Sequence, residues 1–212
     1  MASKRQLMTL YQRLLRTYGP QDWWPGESRF EVMVGAVLTQ NTAWVNVEKA
    51  VSNLKQAGGL DPDRINAMRP GRLARLIRPS GYYNVKAGRL KHLCRWFSEG
   101  GGFAGLDRRP TDELRASLLK VKGVGPETAD AILLYAFERP VFVIDAYTRR
   151  LLAALSLVRD DEVYETLRAL FESRLPADPA LFNEYHALIV RHGKERCSDA
   201  PGCRHCHVEK RL

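Results

Sequence analysis

The chain has no long hydrophobic run. Its longest wholly apolar stretch, Ala131 to Phe137, covers seven residues, against the ~18 or more needed to cross a membrane. Met1-Ala-Ser-Lys-Arg-Gln6 leads into no apolar segment, so a secretion leader is not expected either. Cysteine is scarce: four in 212 residues, at 94, 197, 203 and 206. That is too few and too bunched for a disulfide scaffold, and it points to a reducing compartment, the cytoplasm. Acidic residues are in deficit, 24 against 33 basic ones, for a net charge of +9 and a pI near 9.6. Such a surplus favours a polyanionic partner, nucleic acid before anionic membrane. Internal repeats and low-complexity tracts are missing, while 45% hydrophobic content suffices for a core. Membrane proteins, secreted disulfide frameworks and disordered tails are therefore excluded. The length suits one compact domain or two intimately joined ones.

What is present has a helical period. Phe30, Met33, Val34, Val37 and Leu38 fall on one helix face. Similar stripes run through Trp44, Val47, Val51 and Leu54, and through Leu90, Leu93, Cys94 and Phe97. Others run through Ala129 to Phe137, Val163 to Phe171, and Phe182, Tyr185, His186 and Ile189. The single strand-like run, Val141 to Ile144, is too short and isolated to seed a sheet. The fold class is all-α. Loop signals separate the stripes at Gly58-Gly59, Arg78 to Gly81, Gly100 to Gly102 and Pro176 to Pro179. Between Arg64 and Arg95 stand nine basic residues (64, 69, 72, 75, 78, 86, 89, 91 and 95) and no acidic one. With Tyr82, Tyr83 and Trp96 interleaved, the stretch reads as a phosphate-facing surface rather than a set of solvated helix faces.

The strongest motif is Leu118-Leu-Lys-Val-Lys-Gly-Val-Gly-Pro-Glu-Thr-Ala129. A helix ends near Lys120, Gly123-Val124-Gly125 makes a turn too tight for side chains, and Pro126 opens the next helix. Free backbone N–H groups and a positive dipole end then suit a phosphate. This arrangement resembles the helix-hairpin-helix that grips a DNA backbone without reading its sequence. Beyond it, Asp145 follows an apolar run at the start of another helix. Alone, Asp145 reads as an N-cap. After the hairpin, its setting resembles that of the catalytic Asp of helix-hairpin-helix DNA glycosylases. A fixed carboxylate there stabilises positive charge on the sugar as the glycosidic bond breaks.

The resemblance covers nearly the whole chain. Phe30 to Thr42 looks like the opening helix of the endonuclease III superfamily, with Gln40 at the position that plugs the gap left by a flipped base. Trp23-Trp24-Pro25, Arg78 to Asn84 and Glu127 to Leu133 lean toward the 3-methyladenine DNA glycosylase III branch. That likeness implies a two-lobed helical fold with a DNA-binding cleft between the lobes. One lobe would be a six-helix bundle over residues 28–139, ending in the hairpin; the other would join 1–27 to 140–212. It also implies that Lys122, Gly123, Val124, Gly125, Glu127 and Thr128 contact DNA, and that Trp23, Trp24, Pro25 and Trp44 surround the extruded base. Trp44, on an apolar stripe, reads equally well as core. Methylated purines are cationic, and aromatic faces attract cations.

Bifunctional relatives carry a Lys where this chain has Glu127, and a carboxylate cannot form the imine that drives strand cleavage. The expected activity is therefore monofunctional hydrolysis of alkylated purines, 3-methyladenine foremost, from double-stranded DNA with the damaged base flipped out. A monomer is expected, with no membrane partner. The alternatives are an oxidised-pyrimidine or uracil/thymine-mismatch glycosylase with lyase activity, through Lys120 or Lys122, and a non-catalytic DNA-binding module. Tyr147 and Thr148 flank Asp145 as candidates to orient it, whereas His186 reads as a core histidine. Cys197-x5-Cys203-x2-Cys206 resembles a [4Fe–4S] loop, but its first gap is one residue short and Leu212 stands where the fourth Cys belongs. Cys94 reads as core. A Cys3His zinc site using His192, His205 or His207 and a loop holding nothing are the other readings.

Overall fold

The computed structural model describes residues 2–23, 26–159 and 161–196. Twelve α-helices and one 3-10 turn make up the described residues, with no β-strand among them. The chain divides into two compact units, Gly26–Phe137 and Met1–Pro25 with Glu138–Leu212.

The first unit is built on two helices that are apolar nearly all round. In α2 (Arg29–Leu38) every residue but Arg29 and Glu31 is buried, and it packs on α9 (Pro126–Phe137), where Thr128 to Leu134, Ala136 and Phe137 are buried. A helix apolar on all faces belongs in the middle of a bundle. Around this pair lie α3 (Trp44–Gln56), α4 (Pro62–Ala67), α5 (Pro70–Leu76), α6 (Tyr83–Glu99), α7 (Gly102–Leu106) and α8 (Thr111–Leu119). Starts are set by local chemistry: Ser28 caps α2, and Asp61 with Pro62 opens α4. The stripe Leu90, Leu93, Cys94 and Phe97 is the buried face of α6.

The second unit contains α1 (Lys4–Tyr18), α10 (Ala146–Ala154), α11 (Tyr164–Arg174) and α12 (Pro179–Arg196). Ser3 and Gln6 form a capping box that starts α1. The core is aromatic: Phe142 stacks on Phe171 with centroids 3.7 Å apart and meets the edges of Phe182 and Tyr185. Tyr185 hydroxyl donates to the Leu7 carbonyl at 2.8 Å, tying α12 to α1. The run Val141–Ile144 is not a strand. It is buried chain anchored where Phe142 N–H donates to Glu172 at 2.9 Å. Val163 departs from its expected stripe; it precedes α11 as N-cap and is exposed. No described helix is long and apolar enough to cross a membrane.

Candidate functional site

In the first unit, α8 stops at Leu119 and α9 opens at Pro126, leaving a hairpin of six residues between them. Val124 is buried and plugs the space beneath, while its N–H closes the turn onto Val121 carbonyl at 3.0 Å. Gly123 sits at φ +93°, and a Cβ there would lie 2.3 Å from Cγ of Arg89. Only glycine satisfies both the conformation and the contact. Lys122, Gly125 and Glu127 are exposed. The N–H groups of Lys122, Gly123 and Gly125 find no acceptor among the described residues. Unpaired amides beside a helix N-terminus form an anion-binding nest. The hairpin is clamped below by Arg115 on α8, which donates to both oxygens of fully buried Asp130 on α9, at 2.6 and 3.1 Å.

Gln40 is held against this hairpin. Its Nε2 donates to Gly123 carbonyl at 3.1 Å and to Thr128 hydroxyl at 2.9 Å, and its Oε1 accepts from Arg89. The glutamine thus braces the glycine turn and the first turn of α9. Thr128, expected to contact DNA, is buried and spends its hydroxyl on Gln40.

The basic stretch is not one uniform surface. Lys86 is fully buried, and its Nζ donates to Leu38 carbonyl (2.9 Å), Thr42 hydroxyl (3.0 Å) and Ser80 carbonyl (2.7 Å). Burial, then the Arg89 charge, lowers its pKa to about 8. Arg64 donates to Gly58 carbonyl and Lys91 to Asn66 carbonyl, each at 2.7 Å. Arg69, Arg72, Arg75, Arg78 and Arg95 are exposed, and their side chains make no hydrogen bond or ion pair among the described residues. Helical periodicity cannot separate the two sets, because an amphipathic lysine on a loop-facing helix turn looks like any surface cation.

In the second unit, the buried run Val141–Ile144 delivers Asp145 to the N-cap of α10. Its Oδ1 accepts from Thr148 N–H at 2.7 Å and from Thr148 hydroxyl at 2.8 Å. Its Oδ2 lies 3.6 Å from Nε2 of buried His186, an ion-pair distance rather than a hydrogen bond. Burial acts most strongly on this carboxyl and pushes its pKa up. His186 and Thr148 together outweigh burial and hold it below the usual carboxylate range. His186 is the residue that sequence reasoning missed: it stands 41 positions from Asp145, on a stripe that explains it as core. Tyr147 packs on α12 at Gly193, where a Cβ would lie 2.1 Å from the ring. It therefore buttresses the helix that carries His186, while Thr148 orients the carboxylate.

Of the expected base-pocket residues, Trp24 and Pro25 lie outside the described residues. Trp23 is half-buried, with Nζ of Lys194 at 5.5 Å from its ring centroid. Trp44 is half-buried at the first position of α3. Cys197, Cys203 and Cys206 also lie outside the described residues, as do His205 and His207. Cys94 cannot supply a fourth thiolate, since it is wholly buried and burial pushes its thiol up to about 12. Three thiolates fall one short of a [4Fe–4S] donor set. His192 is buried, with Nδ1 at 2.9 Å from Tyr18 hydroxyl. Among the described residues no group of His, Cys, Asp and Glu gathers into a metal site.

A family model described as HhH-GPD superfamily base excision DNA repair protein matches residues 34–177. A Methanocaldococcus jannaschii protein provisionally named a DNA repair glycosylase is 45% identical over 205 residues, covering 95% of this chain and 93% of its own length. Endonuclease III of Thermotoga maritima is 32% identical over 181 residues, 85% of this chain and 80% of that one. Among solved structures, an H. pylori 3-methyladenine DNA glycosylase bound to 1,N6-ethenoadenine superposes with a TM-score of 0.75 at 32% identity. That match covers 92% of this chain and 98% of the other. An endonuclease III–DNA complex superposes with a TM-score of 0.80 over 97% and 93% of the two chains, at 22% identity, a likeness of fold alone.

Proposed function

The chain belongs to the HhH-GPD superfamily of base excision DNA repair proteins, and from that premise we propose that it hydrolyses the N-glycosidic bond of alkylated purines, 3-methyladenine foremost, in duplex DNA. The observation that carries this reading is Asp145, a half-buried carboxylate held below the usual carboxylate range by His186 and Thr148. A methylated purine departs with the bonding electron pair, which neutralises its own ring charge. The sugar is left with cationic character at C1′, and a fixed anion stabilises it more strongly than it would in bulk water. A water oxygen then bonds to C1′, its proton passes to Asp145 or to solvent, and both phosphodiesters stay intact.

Glu127 supports hydrolysis over strand cleavage. It is exposed in the first turn of α9, it cannot form an imine, and its charge complements the helix dipole. The free amides of Lys122, Gly123 and Gly125 would hold a backbone phosphate, with the Lys122 ammonium beside them. Gln40, released from the hairpin, would fill the space of the extruded base and recover part of the few kcal/mol that extrusion costs. Trp23, Trp24, Pro25 and Trp44 would form the base pocket. The ring of Trp23 already faces a cation in Lys194, the kind of partner a methylated purine would replace. The metal question does not enter this chemistry.

The test is base release from duplexes carrying 3-methyladenine, an oxidised pyrimidine or uracil. Preferential release of the methylpurine supports the assignment. Preference for an oxidised pyrimidine would favour the endonuclease III-like alternative. Tight binding without release of any base would leave a DNA-binding module.

A further inference from the structure

We propose that the groove between α6 and the first limb of the hairpin is a second phosphate site, taking a backbone phosphodiester of the DNA that the hairpin amides grip. This rests on the DNA-binding part of the reading above and not on its chemistry. The groove is open to solvent, holds about 250 Å³, and its lining includes His92, Arg95, Trp96, Glu99, Lys120 and Lys122.

The charge of the lining points to an anion. Arg95, Lys120 and Lys122 converge there, and none has a hydrogen bond or ion pair from its side chain to any described residue. Glu99 is the single acid in the lining, so the side chains carry a surplus of two positive charges with His92 neutral. In the same stretch Arg64, Lys86, Arg89 and Lys91 are spent on protein acceptors, whereas Arg69, Arg72, Arg75 and Arg78 are exposed without one but do not share a groove lining with Arg95. Cations left unpaired in one concavity repel one another, and an incoming phosphate removes that repulsion. The adjoining hairpin presents the unpaired amides of Lys122, Gly123 and Gly125, which serve the first phosphate; of these residues Lys122 alone also lines the groove.

The walls are also fixed in advance. His92 Nδ1–H donates to Lys122 carbonyl at 3.2 Å, joining α6 to the hairpin. That bond leaves Nε2 as a further polar atom on the same ring. Trp96 Nε1 donates to Ser117 hydroxyl at 3.1 Å, joining α6 to α8. A phosphate entering this groove therefore meets guanidinium and ammonium donors carried on braced walls, and the cost of binding lies in ordering their exposed side chains. The expected partner is a phosphodiester rather than a base, since the polar groups converging on the groove are chiefly cationic donors.

The experiment is affinity for an undamaged duplex, read by fluorescence anisotropy across a salt series. It compares the full chain with Arg95→Ser/Lys120→Ser and with Arg5→Ser/Arg16→Ser, which changes the net charge equally. Losing two phosphate contacts should lower the slope of log K against log[salt] by about 1.8. The α1 variant should leave it nearly unchanged. A second arm substitutes neutral methylphosphonates one at a time along each strand. One position should cost the wild type roughly three- to tenfold in affinity, and Arg95→Ser about nothing further. Equal slopes in the two double variants, or no phosphate coupled to Arg95, would overturn the proposal. Failure of the glycosylase reading shows separately, as absence of base release by the wild type, which neither arm measures.

Discussion

Asp145→Asn separates the carboxylate's chemistry from its structural role. Asparagine keeps an oxygen in the place of Oδ1, so both bonds from Thr148 at 2.7 and 2.8 Å persist. Asn and Asp rank alike as N-caps. The change removes one half-buried negative charge near His186 and little packing, so stability should stay within about 1 kcal/mol of the parent. The reaction loses much more. A carboxylate about 4 Å from a developing cation is worth on the order of 4 kcal/mol at an effective dielectric near 20. Loss of one preorganised stabilising group elsewhere costs about 10²–10³ in rate. Single-turnover release of 3-methyladenine should therefore fall about 10²–10³-fold while duplex affinity is kept. A folded variant that releases base within about tenfold of wild type would refute the role given to Asp145.

Three further outcomes follow from the same contacts. His186→Asn removes the partner that offsets burial, so the Asp145 pKa should rise and the acid limb of single-turnover base release should move to higher pH; an unmoved limb would mean that His186 is only core. Lys86 has a folded pKa of about 8 against its usual 10.5; between those values the unfolded chain binds more protons, so stability rises with pH there. Denaturant titrations should accordingly show wild type gaining on Lys86→Met as pH rises above about 8, from a variant that is itself destabilised because the Leu38 carbonyl, Thr42 hydroxyl and Ser80 carbonyl lose their shared donor. Gly123→Ala must adopt φ +93° and displace Arg89, which should cost at least about 1–2 kcal/mol, measured by thermal unfolding, and should weaken duplex binding by disturbing the Gln40 brace.

The helical architecture was legible because its signals are local. Leu90 to Phe97 repeat with the period of their buried face, Phe30 to Leu38 show the helix although it is buried nearly all round, and Gly123, Gly125 and Pro126 mark a turn and a helix start. Asp145 was legible as a cap and, through the resemblance, as a catalytic candidate. What stayed hidden depends on contacts between distant segments. Nothing in the spacing of Lys86 reveals that Leu38, Thr42 and Ser80 offer it three oxygens in a buried space. Gln40 and Thr128 stand 88 positions apart, and Asp145 and His186 stand 41 apart. A histidine on an apolar stripe reads as packing until a carboxylate is found beside it. The basic stretch was visible as charge, but only the fold shows which of its cations already have partners.

The most direct test of the central claim is a single-turnover reaction on a duplex carrying one 3-methyladenine, split into two halves. One half receives borohydride to trap an imine, and the other receives hot alkali to reveal abasic sites. Release of the methylpurine, strand cleavage only after alkali and no trapped adduct are the expected results. A borohydride adduct with spontaneous nicking would contradict the account, because it would make Lys120 or Lys122 a nucleophile where water was expected to attack.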